Sequence, residues 1–169
     1  MVGLALDGEA LVGVNYDPMC NEMFHAERGK GAFLNDDPIH VSDRPNLSKS
    51  VVGFDLSYAG GDGASNGLQV IQAMLNDVGS TRIMGSAALV ISYAAAGRYD
   101  IYFNHRLEPW DQVAGLLLIE EAGGVVTDRA GSRAGLFSDG IIASSARLHA
   151  EFMRRTEGMA WRNPTHRTV

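Results

Sequence analysis

Apolar and polar positions change period along the chain. In the first forty residues the period is short: 2–6 and 10–16 are apolar runs rich in Val and Leu, parted by Asp7-Gly8-Glu9, and Asp-Gly between such runs predicts a β-hairpin. A third strand is expected over 22–26, Arg28-Gly29-Lys30-Gly31 reads as a turn, and 32–34 and 38–41 supply short edge pieces, which together make an antiparallel meander over 1–42. The polar, proline-containing stretch 43–49 is a connection, and Val51-Val52-Gly53-Phe54 is a buried strand.

From there the period lengthens. After a glycine-rich loop at 58–63, Leu68, Ile71, Met74 and Leu75 fall at helical spacing and predict a helix over 65–77, closed by Gly79. A strand at 80–84 precedes Gly85-Ser86, where Ser86 can cap a helix over 87–96 that ends at Gly97. That helix is apolar on nearly every side, so it belongs between layers. A strand at 99–103 follows, then Pro109 opening a helix over 110–122 that stops at Gly123-Gly124, strands at 125–127 and 141–143, and a last helix over 145–156. Residues 157–169 read as a polar, frayed tail. The pattern predicts an α/β chain of mixed layers, one domain over 1–156, with strands and helices alternating over 50–156.

Composition narrows the function. Of 169 residues 46% are hydrophobic, enough to bury a core, and a net charge of −6 argues against a nucleic-acid partner, which a basic face would recruit. Apolar runs such as 87–90 and 116–119 are far shorter than the ~20 residues that cross a bilayer. With no positively charged leader either, neither membrane nor export is indicated, and the expected location is the cytoplasm. Cys20 stands alone, which excludes an internal disulfide, and no basic or histidine neighbour activates it. His25, His40, His149 and His166 lack metal-ligand spacing, and the glycines at 60–67 lack the Gly-Lys-(Ser/Thr) ending of a phosphate loop.

The chemistry concentrates at Leu107-Glu108-Pro109-Trp110-Asp111, continuing to Glu120-Glu121-Ala122-Gly123-Gly124. A carboxylate in a helix's first turn is favoured by the orphan amides there, so Asp111 reads equally as a cap and as a ligand for a hard cation, beside a bulky Trp110 that fixes the turn.

This run resembles the C-terminal signature of the inositol monophosphatase family, Pro-Trp-Asp followed by small residues and Glu-Ala-Gly-Gly. The resemblance extends to Asp7-Gly8-Glu9 with Gly13-Val14-Asn15-Tyr16-Asp17-Pro18, to Gly29-Lys30-Gly31-Ala32-Phe33-Leu34-Asn35, and to Gly85-Ser86-Ala87-Ala88-Leu89 with Ala95-Ala96-Gly97-Arg98-Tyr99-Asp100, in the family's order from residue 2 to about 145. It implies an αβαβα sandwich that hydrolyses a small phosphate monoester with Mg²⁺, often as a homodimer. By motif position it makes Asp111 a metal ligand and places Gly85, Ser86 and Ala87 beside the substrate, where helix amides suit an anion. Asn104 stands where animal members carry a glutamate that touches the inositol hydroxyls, which widens the expected substrates to other sugar, polyol or nucleotide phosphates. Arg106, in the same loop as His105, could pair with phosphate. Val113 is bulkier than the family's alanine.

The family's other metal ligands, a glutamate and an Asp-Pro-(Ile/Leu)-Asp-Gly-(Thr/Ser) motif, have no counterpart here; Asp17-Pro18-Met19-Cys20-Asn21 only begins like that motif, and Glu120-Glu121 belongs to the C-terminal signature. The chain therefore resembles the second half of a family member. Alone it is expected to be inactive or feeble, with the strand edge and apolar face that the other half covers left exposed. The alternatives are a non-catalytic binding module with a vestigial site, or half of a split enzyme completed in trans by a complementing N-terminal half.

Overall fold

The structure, a computed structural model, describes residues 1–56 and 62–163. The loop expected at 58–63 falls mostly outside them, as does His166. Among the described residues ten strands form two five-stranded sheets.

The first sheet is the predicted meander: β1 (Val2–Leu6), β2 (Glu9–Asp17), β3 (Glu22–Glu27), β4 (Ala32–Leu34) and β5 (Asp37–Pro38), side by side in chain order and antiparallel throughout. Asp7 and Gly8 both take positive φ, 50° and 84°, the geometry of the two-residue turn that Asp-Gly favours. The inward row of this sheet includes Gly3, Gly13, Asn15, Phe24, Ala26 and Ala32. The outward row includes Val2, Leu4, Leu6, Val12, Tyr16 and Met23, all exposed.

The second sheet has the order β7-β6-β8-β10-β9, formed by β6 (Val51–Asp55), β7 (Ser80–Arg82), β8 (Ile101–Asn104), β9 (Val125–Asp128) and β10 (Ile141–Ser144). β6 runs parallel to β7 and β8, while β10 is antiparallel to β8 and β9. β8 and β10 are buried at every position, because helices cover both faces. On one face Ile101, Phe103 and Ile142 meet α1 (Gly63–Met74) and α4 (Ala146–Arg155) through Val70, Ile71, Leu148 and Phe152. On the other, Tyr102, Ile141 and Ala143 meet α2 (Ala87–Ala95) and α3 (Pro109–Glu121) through Val90, Ile91, Leu117 and Leu118.

The α2–α3 layer packs against the first sheet as well, giving a β-α-β-α order of layers, four of the five in the sandwich the resemblance implies. The approach is close: a Cβ on Gly13 would lie 2.7 Å from the Ala114 Cα, so only glycine lets β2 pass α3 there. Gly3 offers the same space to the bulkier Val113, whose Cγ1 a Cβ would meet at 2.6 Å.

The C-terminal expectation needs correcting. Residues 157–163 are not a frayed tail: Ala160–Arg162 forms a 3₁₀ turn, and Trp161, 1% exposed, sets its ring edge-on to Phe103 and Phe152. Arg129 donates to the Trp161 and Asn163 carbonyls at 2.7 and 2.9 Å, and Arg162 returns a hydrogen bond to the Arg129 carbonyl. One tryptophan in a mostly polar stretch weighs little in a composition average, yet with Met159 beside it Trp161 buries enough apolar surface to anchor the segment.

Candidate active site

The carboxyl ends of β6 and β8 and the N-termini of α2 and α3 enclose a cavity of about 490 Å³. In open α/β sheets this crevice beyond the strand ends is where ligands collect. Gly85, Ser86, Ala87, Asn104, Arg106 and Asp111 all line it, together with Asp55, Leu56 and Glu108.

One wall is the start of α2. Gly85 takes φ 74°, which turns the chain into the helix, and Ser86 stands at the N-cap with extended backbone but without a side-chain cap hydrogen bond. The first intrahelical donor is the Val90 amide, bonded to the Ser86 carbonyl at 3.0 Å, so the amides of Ala87, Ala88 and Leu89 have no acceptor within the helix. Asn15 holds this turn from the first sheet, donating to the Ala88 carbonyl at 3.1 Å and the Ser92 hydroxyl at 2.8 Å.

The opposite wall is the start of α3. Pro109 occupies the first turn, and Glu108 and Asp111 form a reciprocal capping box: the Glu108 amide donates to Asp111 Oδ2 at 3.1 Å, and the Glu108 carboxylate accepts from the Asp111 amide. Asp111 thus caps the helix while lining the cavity. Trp110 does not fix this turn, contrary to expectation. It is 70% exposed, and the proline and the capping box do that work.

Asn104 and Arg106 join the walls. Asn104 is 4% exposed with its amide engaged inside the protein, donating to the Tyr102 hydroxyl at 3.0 Å and accepting from the Arg106 amide at 3.0 Å. Among the described residues that line the cavity Arg106 is the only side-chain cation, in company with the carboxylates of Asp55, Glu108 and Asp111. Its Nε lies 3.9 Å from both Glu108 and Asp139, at the limit of ion pairing. His105 turns away from the cavity to meet Arg129 at 3.3 Å, and burial, reinforced by Arg129, lowers its pKa. Glu120 and Glu121 lie elsewhere and are structural: Glu120 pairs with Arg28 and Arg133, and Glu121 accepts from the Gly29 and Gly31 amides at 2.8 and 2.9 Å.

Asp55 was missed by sequence reasoning. Its Oδ1 accepts from the Gly85 amide at 2.8 Å and the Met84 amide at 3.3 Å, and its Oδ2 from the Tyr102 hydroxyl at 3.3 Å. The signal was available, since a polar residue ending a buried strand of a parallel pair points to the ligand crevice.

Hard carboxylate oxygens suit Mg²⁺ in kind, yet among the described residues no three His, Cys, Asp or Glu side chains gather to hold an ion. Asp111 carries the kind of oxygen donor such a site uses; the described residues do not complete it.

Comparison with known proteins agrees with this architecture. The fructose-1,6-bisphosphatase/inositol-1-monophosphatase of Thermotoga maritima is 40% identical over 148 residues, 88% of this chain and 56% of that protein. The Nus factor SuhB of Escherichia coli is 35% identical over 147 residues, 87% of this chain and 55% of that protein. The crystal structure of the extragenic suppressor protein suhB from Bartonella henselae superposes with a TM-score of 0.86 at 35% identity, covering 92% of this chain and 60% of that one. The chain thus spans little more than half the length of the relatives it matches. The sequence model of the inositol monophosphatase family matches residues 1–159, and with the cavity formed where that family's signature segments meet, the chain belongs to the inositol monophosphatase family.

Proposed function

We propose that the cavity binds a small phosphate monoester together with Mg²⁺ and belongs to a phosphoric monoester hydrolase. The observation that carries this reading is the convergence of Gly85, Ser86, Ala87, Arg106 and Asp111, distant in sequence, on one cavity between two helix N-termini. The amides at the start of α2 suit phosphate oxygens, and Arg106 adds a planar cation at the rim. Asp111, held by its capping box, is the side chain best placed to serve as a metal ligand. Asn104 is buried and internally bonded, so it shapes the cavity rather than reading a substrate hydroxyl through a free amide. With the inositol-reading glutamate replaced, inositol, sugar and nucleotide monophosphates are all candidate substrates.

One carboxylate holds Mg²⁺ weakly, because the ion dehydrates reluctantly. The chain by itself is therefore proposed to be inactive or feeble, and further ligands from another polypeptide segment are proposed to complete the site. The test is phosphate release from a panel of inositol, fructose and nucleotide monophosphates with Mg²⁺, comparing the chain, Asp111→Asn, and the chain supplied with a relative's N-terminal half. Activity appearing only with the added half, and lost in Asp111→Asn, is the expected result. Activity in the chain alone would overturn the claim of incompleteness.

A second reading, a non-catalytic interaction module with a vestigial site, is favoured by the exposed apolar row of the first sheet and by the relatives named as Nus factors. Silence in every arm of the assay would support it.

A further inference from the structure

Tyr102 is fully buried, does not line the cavity, and nonetheless carries a hydroxyl that a phenylalanine would not need to satisfy. That hydroxyl is the middle link of a hydrogen-bond chain that joins residues of the cavity lining from one wall to the other. The Arg106 amide donates to Asn104 Oδ1 at 3.0 Å, Asn104 Nδ2 donates to the Tyr102 oxygen at 3.0 Å, and the Tyr102 hydroxyl donates to Asp55 Oδ2 at 3.3 Å. From the other side the Gly85 amide donates to Asp55 Oδ1 at 2.8 Å. Every donor points towards one carboxylate, so the polarity is consistent from end to end. The two ends are the two walls: Gly85 precedes the amide-bearing start of α2, and Arg106 leads into the capping box that holds Asp111.

We propose that Asp55, Tyr102 and Asn104 are positioning residues that couple the anion-binding wall at Gly85–Ala87 to the Arg106–Asp111 wall through this chain of hydrogen bonds. The proposal deepens the phosphate-ester reading of the cavity and rests on it for its purpose: a phosphate held by the α2 amides must also face Asp111, and the chain fixes that relation through Tyr102, a link that lies outside the cavity lining. Neighbouring hydrogen bonds polarise one another in a buried setting, so cutting the middle loosens both ends.

The experiment is amide hydrogen exchange by NMR on the full 169-residue chain. Tyr102→Phe keeps the ring and removes the middle link. Exchange should rise about fivefold, the loss of roughly one net hydrogen bond, at both Gly85 and Arg106, with the amides of α1 and α4 unchanged. Asp55→Asn is the second variant. Its amide can still accept from Gly85, but it presents a donor to a Tyr102 oxygen that already accepts from Asn104; Arg106 should loosen while Gly85 stays protected. A role confined to packing would leave both amides unmoved in Tyr102→Phe, and a purely local role for Asp55 would move Gly85 alone; either result overturns the proposal. Inorganic phosphate with Mg²⁺, titrated into the same samples, separates this from the underlying reading. Weaker binding in Tyr102→Phe supports the coupling, equal binding by both proteins overturns its purpose, and no binding by the wild-type chain even when a relative's N-terminal half is supplied overturns the phosphate reading while exchange still decides whether the walls are coupled.

Discussion

The second sheet hides both faces, and the first hides one. Phe103 in β8 stacks at 5.6 Å on Phe54 and meets Phe152 and Trp161, while its neighbour Tyr102 is equally buried on the opposite side. Leu4 in β1 is as apolar as any of these and is 58% exposed, in a row with Val2 at 70% and Leu6 at 62%. Both strands were built from the same kinds of residue. What separates them is the number of helical layers within reach, since α2 and α3 serve both sheets but α1 and α4 serve only the second. A contiguous apolar row on a sheet face is a surface suited to being covered, by chain or by partner.

If burial on both faces is what makes the second sheet the stable half, Phe103→Ala should be the most damaging change. A cost of about 3–5 kcal/mol in urea unfolding is expected, and a loss near zero would show that the aromatic cluster is not the centre of stability. Gly13→Ala probes the shared layer from the first sheet: the added methyl meets the α3 backbone, which cannot rotate aside, and about 1–3 kcal/mol should be lost. Should that variant be as stable as the wild type, the first sheet would not be firmly seated on α3.

Acid offers a gentler probe of the second sheet. His149 on α4 is buried and hydrogen-bonded at 2.8 Å to the Thr127 hydroxyl of β9, and burial, aided by Arg162, lowers its pKa. As pH falls through about 6.5 the unfolded chain takes up the proton first, so this contribution to stability is whole above that pH and is lost below it, down through the lowered folded value. Unfolding measured from pH 8 to pH 5 should show that slope, and His149→Gln should flatten part of it. The smallest effect is expected outside: Leu4→Thr should change stability by no more than about 0.5 kcal/mol while reducing self-association in light scattering. A large loss of stability there would mean that the outer row is not the free surface it is in this structure.

Much of this was legible in the sequence, for definable reasons. Asp7-Gly8 demands a tight turn wherever it occurs, and alternation, broken once by a register shift between Leu4 and Ala5, then sets which residues of β1 and β2 share a face. Pro109 and Gly123 bracket α3 by backbone chemistry alone. Gly85, Ser86, Ala87, Asn104, Arg106 and Asp111 could be singled out because they sit in local motifs, and the fold brings them to one cavity. Asp55 and Tyr102 sit in none. Nothing within β6 says that its last residue will clamp a turn thirty positions later, or that β8 will bring a phenol between them.

The sequence by itself determined the elements, since turn chemistry and hydrophobic period act over a few residues and need no distant partner. Only the tertiary structure decided which apolar rows became core, which polar side chains became structural and how Trp161 was anchored. Burial and hydrogen-bond satisfaction depend on what the fold brings alongside, and that is a property of pairs far apart in the chain. Asn104 shows the division plainly: its motif singled it out, and its neighbours in space set it in the cavity lining with its amide engaged inside the protein.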